Sequence, residues 1–198
     1  MLTPLVQSAY YKVSCEIRKW PWQKGYFSYK IAMYAHGGHS HEELIYSNKA
    51  LQLYVEMGVP TLNVIPPKLL EIALASNQGS CFSSSERDGG VRFKLECDVV
   101  GSHPESWDLL DVTNNAEAML TMLSFCVNQN GKKYDWPGVL GFRFMGLAQD
   151  PEKWYCSEIC DKAKELVSLW PEFYRSHPSE SYWLQKFLTN KGIDQRVI

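Results

Sequence analysis

The sequence predicts an α+β fold in which a central, meandering antiparallel sheet is packed by helices. Strand-like segments dominate the first 112 residues, and the segments with helical periodicity follow mainly after residue 114. The chain has 198 residues, 45% of them hydrophobic, which is close to the globular average. A chain of this length can bury a full core without disulfides or metals. We therefore expect a single domain over residues 1–198.

The first strands are predicted around a histidine-rich turn. Residues Tyr26 to Met33 read as a strand, because Phe27, Tyr29, Ile31 and Met33 alternate with polar or small neighbours. A Gly-rich turn follows from Ala35, and a second strand is expected over His41 to Tyr46. Residues 48–78 are predicted to be an insertion, which contains a helix from Lys68 to Ala75 after two prolines.

A hairpin is predicted next. Its strands are Gly79 to Ser84 and Val91 to Cys97, joined by the turn Glu86-Arg87-Asp88-Gly89-Gly90. Asp-Gly and Gly-Gly favour such a turn because glycine adopts positive φ at little cost. A shorter strand is expected over Trp107 to Val112.

Three helices are predicted in the remaining chain, over Asn114 to Asn128, Pro151 to Trp170 and Glu180 to Leu188. The start of the second one is open. An N-cap at Asp150 followed by Pro151 would place Cys156 in the second helical turn. A separate short turn at Pro151 would instead place Cys156 in the first turn.

Composition excludes several classes of protein. The net charge is −2 and basic residues do not cluster, which argues against binding to nucleic acid or to an anionic membrane. No apolar run approaches the roughly 20 residues of a membrane helix, and no secretory signal is visible. The six cysteines form no CxxC pair, which predicts free thiols and no cysteine-based zinc site. We expect a soluble, cytoplasmic protein without a cofactor or a metal.

Cys156 is a candidate nucleophile. It lies early in a predicted helix and shares a face with Cys160 and Ala163, so it is expected to point towards the sheet. Free N–H groups at a helix start stabilise a thiolate, and a nearby imidazolium stabilises it further. The competing interpretation is that Cys156 is one more buried cysteine of the core.

Three histidines, His36, His39 and His41, lie within six positions. They are compatible with a metal site, although no carboxylate or cysteine beside them has a familiar ligand spacing. Alternatively, His41 opens a strand and faces a cysteine as its general base. For His36 and His39, a solvated loop without a function is also compatible with the sequence.

Three segments together resemble a known family. They are Ser40-His41-Glu42-Glu43-Leu44, the hairpin from Cys81 to Arg92, and Lys153-Trp154-Tyr155-Cys156-Ser157-Glu158. In this order they resemble the circularly permuted papain-like hydrolases, the YiiX-type relatives of the NlpC peptidases, and in particular their small phage-encoded members. In that family a histidine strand comes first and a cysteine helix last.

The resemblance implies a permuted papain-like fold and a cysteine hydrolase of the peptidase or amidase type, which acts on an amide or ester of a peptide, a cell-wall peptide or a lipid. Cys156 would be the nucleophile and His41 the base. A third polar residue would orient the imidazole, for which Ser83, Ser84, Ser85 and Glu86 are candidates on the following strand and Glu43 on the same strand. Tyr134 or Tyr155 would assist at the oxyanion, together with the N–H of Cys156.

A phage-encoded member would act in the cytoplasm of its host. Two alternatives remain open at this point. A serine in the orienting position, which brings no charge to the imidazolium, would suit a binding protein on a decayed enzyme scaffold. The three histidines would suit a metal-binding protein.

Overall fold

A computed structural model of the chain describes residues 4–13, 22, 26–34, 38–58, 65–141, 150, 152–170 and 177–190. Over these residues the fold is α+β, as predicted, with a seven-stranded sheet packed by helices. The strands are β1 (Val6–Lys12), β2 (His39–Tyr46), β3 (Ser80–Ser85), β4 (Gly90–Leu95), β5 (Trp107–Thr113), β6 (Lys133–Tyr134) and β7 (Lys153–Trp154). The helices are α1 (Tyr26–Tyr34), α2 (Asn48–Glu56), α3 (Pro67–Ala75), α4 (Glu96–Val99), α5 (Ala116–Gln129), α6 (Trp136–Gly141), α7 (Cys156–Glu165) and α8 (Pro178–Asn190).

The sheet is mixed rather than purely antiparallel. Its strand order is β5-β1-β2-β3-β4-β6-β7, and every neighbouring pair is antiparallel except β6 and β7. In that parallel pair Tyr134 lies beside Trp154. Parallel neighbours need a connection that returns the chain to the same end of the sheet, and α6 is part of this connection.

The first 46 residues differ from the sequence prediction in two elements. Tyr26–Tyr34 is a helix and not a strand. Tyr29 and Ala32 of this helix are buried, and their spacing of three is that of one helix face. Strand β1 was not predicted, although it lies between β2 and β5 in the sheet and pairs with both.

Most other predicted elements are confirmed with shifted ends. Strands β2, β3 and β5 and helices α3, α5 and α8 lie where the sequence placed them. The strand predicted to end at Cys97 ends at Leu95, and α4 follows directly. Residues 48–78 also contain α2, which was not predicted, and α2 and α3 add Leu51 and Ala73 to the main core.

Helix α7 begins at Cys156, not at Pro151, and it ends at Glu165 rather than Trp170. Asp150 forms a separate turn before it. Its side chain accepts a hydrogen bond from the backbone N–H of Glu152 at 3.0 Å, and its carbonyl accepts one from Lys153 at 3.0 Å. Of the two starts considered from the sequence, the structure has the one that places Cys156 in the first turn.

The sheet has a large core on one face and a small one on the other. Helices α5 and α7 pack on the first face, where Leu44 and Phe82 are fully buried. The second face carries a cluster around Ile45 and Trp107. Among the helices that the structure describes, none is both long and apolar enough to span a bilayer.

Candidate active site

The site forms where two central strands separate. The ladder between β2 and β3 covers three residue pairs and ends at Leu44 and Phe82. Beyond it, the carbonyl of Glu42 accepts a hydrogen bond from the hydroxyl of Ser83 at 2.6 Å and from the thiol of Cys160 at 3.8 Å. Because the strands are apart here, α7 can pack on one face of the sheet and still bring its first residue to side chains on the other face.

Cys156 is the first residue of α7 and is 4% exposed. It follows Tyr155, which is extended at the N-cap with φ −102° and ψ 172°. The backbone N–H groups of the first helical turn have no partner within the helix and carry its positive dipole end. A thiolate at Cys156, or an oxyanion beside it, would be stabilised by this position.

The chain before Cys156 is held by hydrogen bonds to one carbonyl. The carbonyl of Trp154 accepts from the hydroxyl of Ser84 at 2.6 Å and from the backbone N–H of Asp135 at 3.0 Å. Across the first turn, the backbone N–H of Tyr155 donates to the carboxylate of Glu158 at 3.4 Å. These contacts fix the position at which the helix begins, and so the position of the thiol.

The imidazole of His41 lies between Cys156 and Glu43. Its Nε2 is 2.7 Å from Oε1 of Glu43, and the thiol of Cys156 lies near enough to the ring to act on its pKa. Because Nε2 is engaged by Glu43, Nδ1 is the nitrogen left for the thiol. Burial alone would lower the pKa of His41, but the negative charge and hydrogen bond of Cys156, together with Glu43, raise it to about 10.

Glu43 is fixed in turn by Arg92. The two terminal nitrogens of Arg92 donate to Oε2 and Oε1 of Glu43 at 2.7 and 2.6 Å. Ser83, which pairs with Arg92 in the β3–β4 ladder, has a short side chain that leaves room for this contact. Burial alone would raise the pKa of Glu43, but Arg92 and His41 lower it to about 2. Glu43 is therefore a carboxylate that holds its charge throughout the neutral range.

Asp88 continues the network towards solvent. Its carboxylate accepts from Nε of Arg92 at 2.8 Å and from Lys94 at 2.5 Å. The guanidinium thus has an anion on two sides, and its pKa is raised, since these anions outweigh the effect of burial. A planar guanidinium held in this way cannot rotate without breaking several charged hydrogen bonds.

Tyr134 and Tyr155 were the two tyrosines proposed for the oxyanion. Burial raises the pKa of Tyr134, and the nearby negative charges of Cys156, Glu86 and Asp135 raise it further. Tyr134 is therefore protonated at neutral pH and lies in the field of Cys156. The side chain of Tyr155 is buried, with 1% exposure.

Among the candidates for the orienting residue, the structure brings Glu43 to His41. The hydroxyl of Ser84 is directed instead to the carbonyl of Trp154. Ser83 donates to the carbonyl of Glu42. Glu86 is exposed in the turn between β3 and β4, where its charge acts on Tyr134.

The predicted histidine cluster is divided between the faces of the sheet. A register shift in the β1–β2 ladder places Ser40 as an extra residue between His39 and His41. His39 contacts Asp108 at 2.9 Å and Tyr182, on the side opposite to Glu43. His36 lies outside the described residues. Within the residues that the structure describes, no three His, Cys, Asp or Glu side chains are grouped so that they can hold a metal ion.

Arg92 is the site residue that the sequence did not reveal. It lies inside the hairpin segment that carried the resemblance, and its spacing from Glu43 has no recognisable pattern. The available signal was the alternation of β4, which places Arg92 on the same face of the sheet as Ser83 of the neighbouring strand. Only the order of the strands in the sheet shows that the same row includes Glu43.

Comparison with known proteins does not assign the chain to a family. No protein-family model matches the chain, and no curated protein matches it. The functional conclusion therefore depends on the arrangement of Cys156, His41, Glu43 and Arg92.

Proposed function

We propose that the protein is a cysteine hydrolase that cleaves an amide or an ester through an acyl-enzyme. Cys156 is the nucleophile, His41 is the general base and acid, and Glu43 orients the imidazole. The observation that carries this proposal is the position of His41, which contacts the carboxylate of Glu43 and lies near enough to the thiol of Cys156 for the two groups to interact. A nucleophile, a base and an orienting anion in contact are the arrangement that activates a weak nucleophile.

The order of the elements supports a permuted papain-like fold. The histidine strand β2 precedes the cysteine helix α7 in the chain, and the helix begins at the nucleophile. The orienting carboxylate comes from the histidine strand itself, two residues after His41, rather than from the neighbouring strand.

The reaction follows from this geometry. His41 has taken the proton of the Cys156 thiol, since its raised pKa keeps the imidazole protonated at neutral pH, and the thiolate sulfur bonds to the substrate carbonyl carbon. The amine or alcohol leaves with the proton from His41, which gives the thioester. Water then attacks the thioester carbon and gives one proton to His41. The carboxylic acid is released as the Cys156 thiolate leaves, which restores the pair of thiolate and protonated His41. The backbone N–H of Cys156, at the start of the helix, and the hydroxyl of Tyr134 would donate to the oxyanion in both halves.

Peptides, cell-wall peptides and lipids are the substrate classes that the resemblance suggests. Trp107 and His41 form a T-shaped pair with ring centroids 6.2 Å apart, and Tyr134 and Trp136 form another with centroids 5.3 Å apart. Aromatic side chains therefore flank both the base and the nucleophile. Such surfaces provide apolar contact area for a substrate on either side of the scissile bond.

The test is selective alkylation. The protein is treated with iodoacetamide at pH 6, and the adducts are quantified at each cysteine by mass spectrometry. Cys97 is the internal reference because it is the exposed cysteine among those the structure describes. We expect Cys156 to react at least about tenfold faster than Cys97, although it is less exposed, because His41 stabilises its thiolate.

The matched variant is His41→Ala. It should reduce labelling of Cys156 to the level of Cys97 or below and leave the labelling of Cys97 unchanged. Equal labelling of the two cysteines in the unmodified protein, or no effect of His41→Ala, would remove the basis for the proposal.

A further inference from the structure

A cluster of three charged side chains is buried between α7 and the sheet, on the face opposite to His41. Nζ of Lys164 lies 2.8 Å from Oε1 of Glu42 and 2.6 Å from Oδ1 of Asp161. The side chains of Lys164 and Glu42 are 0% exposed, and that of Asp161 is 5% exposed. We call Glu42, Asp161 and Lys164 the buried ion cluster.

Polar and aromatic neighbours enclose the buried ion cluster from several elements. Ser8 of β1 donates to Glu42 at 3.1 Å, and Ser181 of α8 donates to Asp161. The indole ring of Trp170, beyond the end of α7, lies 3.9 Å from Nζ of Lys164. The buried ion cluster is therefore fixed by contacts from β1, from α8 and from the residues that follow α7.

The cluster connects the two elements that carry the proposed reaction. Glu42 directly follows His41 in β2, and the two side chains point to opposite faces of the sheet. Asp161 and Lys164 belong to α7, whose first residue is Cys156. A contact between Lys164 and Glu42 thus joins the helix of the nucleophile to the strand of the base, one residue from the base itself.

Charged contacts fix a position more strictly than apolar contacts do. An α-helix rises about 1.5 Å per residue, so a slide of α7 by a single residue would break the 2.8 Å hydrogen bond from Lys164 to Glu42 of β2. The apolar contacts of Ile159 and Ala163 with the sheet would tolerate such a shift at lower cost. Buried ion pairs commonly add little net stability over apolar packing, and specifying one geometry is a role they can fill.

We propose that Lys164 is a positioning residue, which sets the separation of Cys156 from His41 through its contacts with Glu42 and Asp161. This inference is based on the proposed function and goes beyond it, since none of the three side chains contacts the reacting atoms. Neutral replacement of the cluster should therefore preserve the fold and impair the chemistry.

The test uses the triple variant Glu42→Gln/Asp161→Asn/Lys164→Met, which removes the charges and retains the approximate volumes. We expect its melting temperature to stay close to that of the unmodified protein or to rise. We expect the alkylation rate of Cys156 at pH 6 to fall at least about tenfold, since a small misplacement is sufficient for such a loss. The pH profile of this alkylation should move upward, towards that of Cys97.

Two further variants make the test decisive. Ile159→Val loosens the packing of α7 without changing a charge, and it should leave the pH profile of Cys156 alkylation in place. Ser181→Ala removes one donor from Asp161 and should lower the rate of Cys156 by a few-fold. If the triple variant has no cooperative unfolding transition, and so is not folded, the rate of Ser181→Ala serves as the test of the positioning role.

The outcomes separate this inference from the proposed function. If a folded triple variant keeps the rate and pH profile of the unmodified protein, Lys164 has no positioning role. The same holds if Ile159→Val lowers the rate as much as the triple variant, or if Ser181→Ala changes nothing when the triple variant does not fold. If Cys156 of the unmodified protein reacts no faster than Cys97, the proposed function itself is wrong.

Discussion

Glu42 and Glu43 are neighbours in one strand, and both side chains are fully buried, yet their environments have opposite effects. Glu43 accepts two hydrogen bonds from Arg92 and contacts His41, which lowers its pKa to about 2. For Glu42, burial and the nearby Asp161 raise the pKa, although Lys164 acts against them. The difference shows that burial alone does not decide how a carboxylate titrates; the number of cations and donors per anion does.

The two sides also differ in how well their polar atoms are satisfied. Both carboxylate oxygens of Glu43 are engaged by Arg92. In the part of the chain that the structure describes, Oε2 of Glu42 has no hydrogen-bond partner, and Glu42 shares Lys164 with Asp161. On the side with His41, the charge of Glu43 is balanced by a cation of its own, Arg92. On the other side, Glu42 and Asp161 depend on one cation, Lys164.

The largest effect is expected from removing the cation on the Glu42 side. Lys164→Ala leaves Glu42 and Asp161 buried next to each other without a counter-charge, and it should reduce the free energy of unfolding by about 3–5 kcal/mol. Lys94→Ala is the matched control, because Lys94 also pairs with an aspartate but is 39% exposed, and its loss should be below about 1 kcal/mol. Urea unfolding at pH 7 measures both. Similar losses in the two variants would contradict the account.

An effect of intermediate size is expected on the pH dependence of stability when Glu43 or Glu42 is replaced by glutamine. Glu43 has a pKa lowered from 4.5 to about 2, so its stabilising contribution is present above pH 4.5 and is lost as the pH falls towards 2. The contribution amounts to at most about 3 kcal/mol. Relative to the unmodified protein, Glu43→Gln should therefore be least stable near neutral pH, and the difference should shrink in acid.

Glu42→Gln should show the opposite slope. The pKa of Glu42 is raised from 4.5, so its ionisation reduces the stability of the unmodified protein as the pH rises above 4.5. A glutamine does not ionise, and the variant should gain relative stability over the same range. Urea unfolding of both variants between pH 3 and pH 8 tests the two predictions. If the stability relative to the unmodified protein changes with pH in the same direction in both variants, the two carboxylates do not have the opposite environments described.

The smallest effect is expected from the serine that holds the start of α7. Ser84→Ala removes one of two donors to the carbonyl of Trp154 and should cost about 1 kcal/mol, with a small decrease in the labelling of Cys156. Glu86→Gln is the comparison, since Glu86 is exposed and should change stability by less than about 0.5 kcal/mol. A loss of labelling in Ser84→Ala as large as in His41→Ala would mean that Ser84 acts on the imidazole directly.

The residues of the proposed site could be named from the sequence more readily than the elements around them. Cys156, His41 and Glu43 each belong to a short segment with a recognisable order, so they could be named without coordinates. Arg92 could not, because its contact depends on which strands are neighbours and in what register. Glu42 and Lys164 are far apart in the chain, and nothing in their local sequence indicates that both are buried.

The differences in β1, α1 and the start of α7 have physical causes. Strand β1 carries serine and alanine among its buried positions, so its sequence shows weak hydrophobic alternation although it lies inside the sheet. In α1, aromatic and β-branched residues at alternate positions favoured a strand, whereas packing against β2 favours a helix. The start of α7 was ambiguous because it is set by contacts of Asp150 and Trp154 rather than by the helical residues themselves.

The most direct test of the central claim is the titration of His41 followed by NMR of its ring nitrogens, in the unmodified protein and in Cys156→Ala. The account predicts a midpoint near 10 in the unmodified protein and a lower midpoint in the variant, because the sulfur is a main source of the raised pKa of His41. A midpoint near 6.5 that is the same in both proteins would show that the thiol and the imidazole do not interact, and would contradict the account.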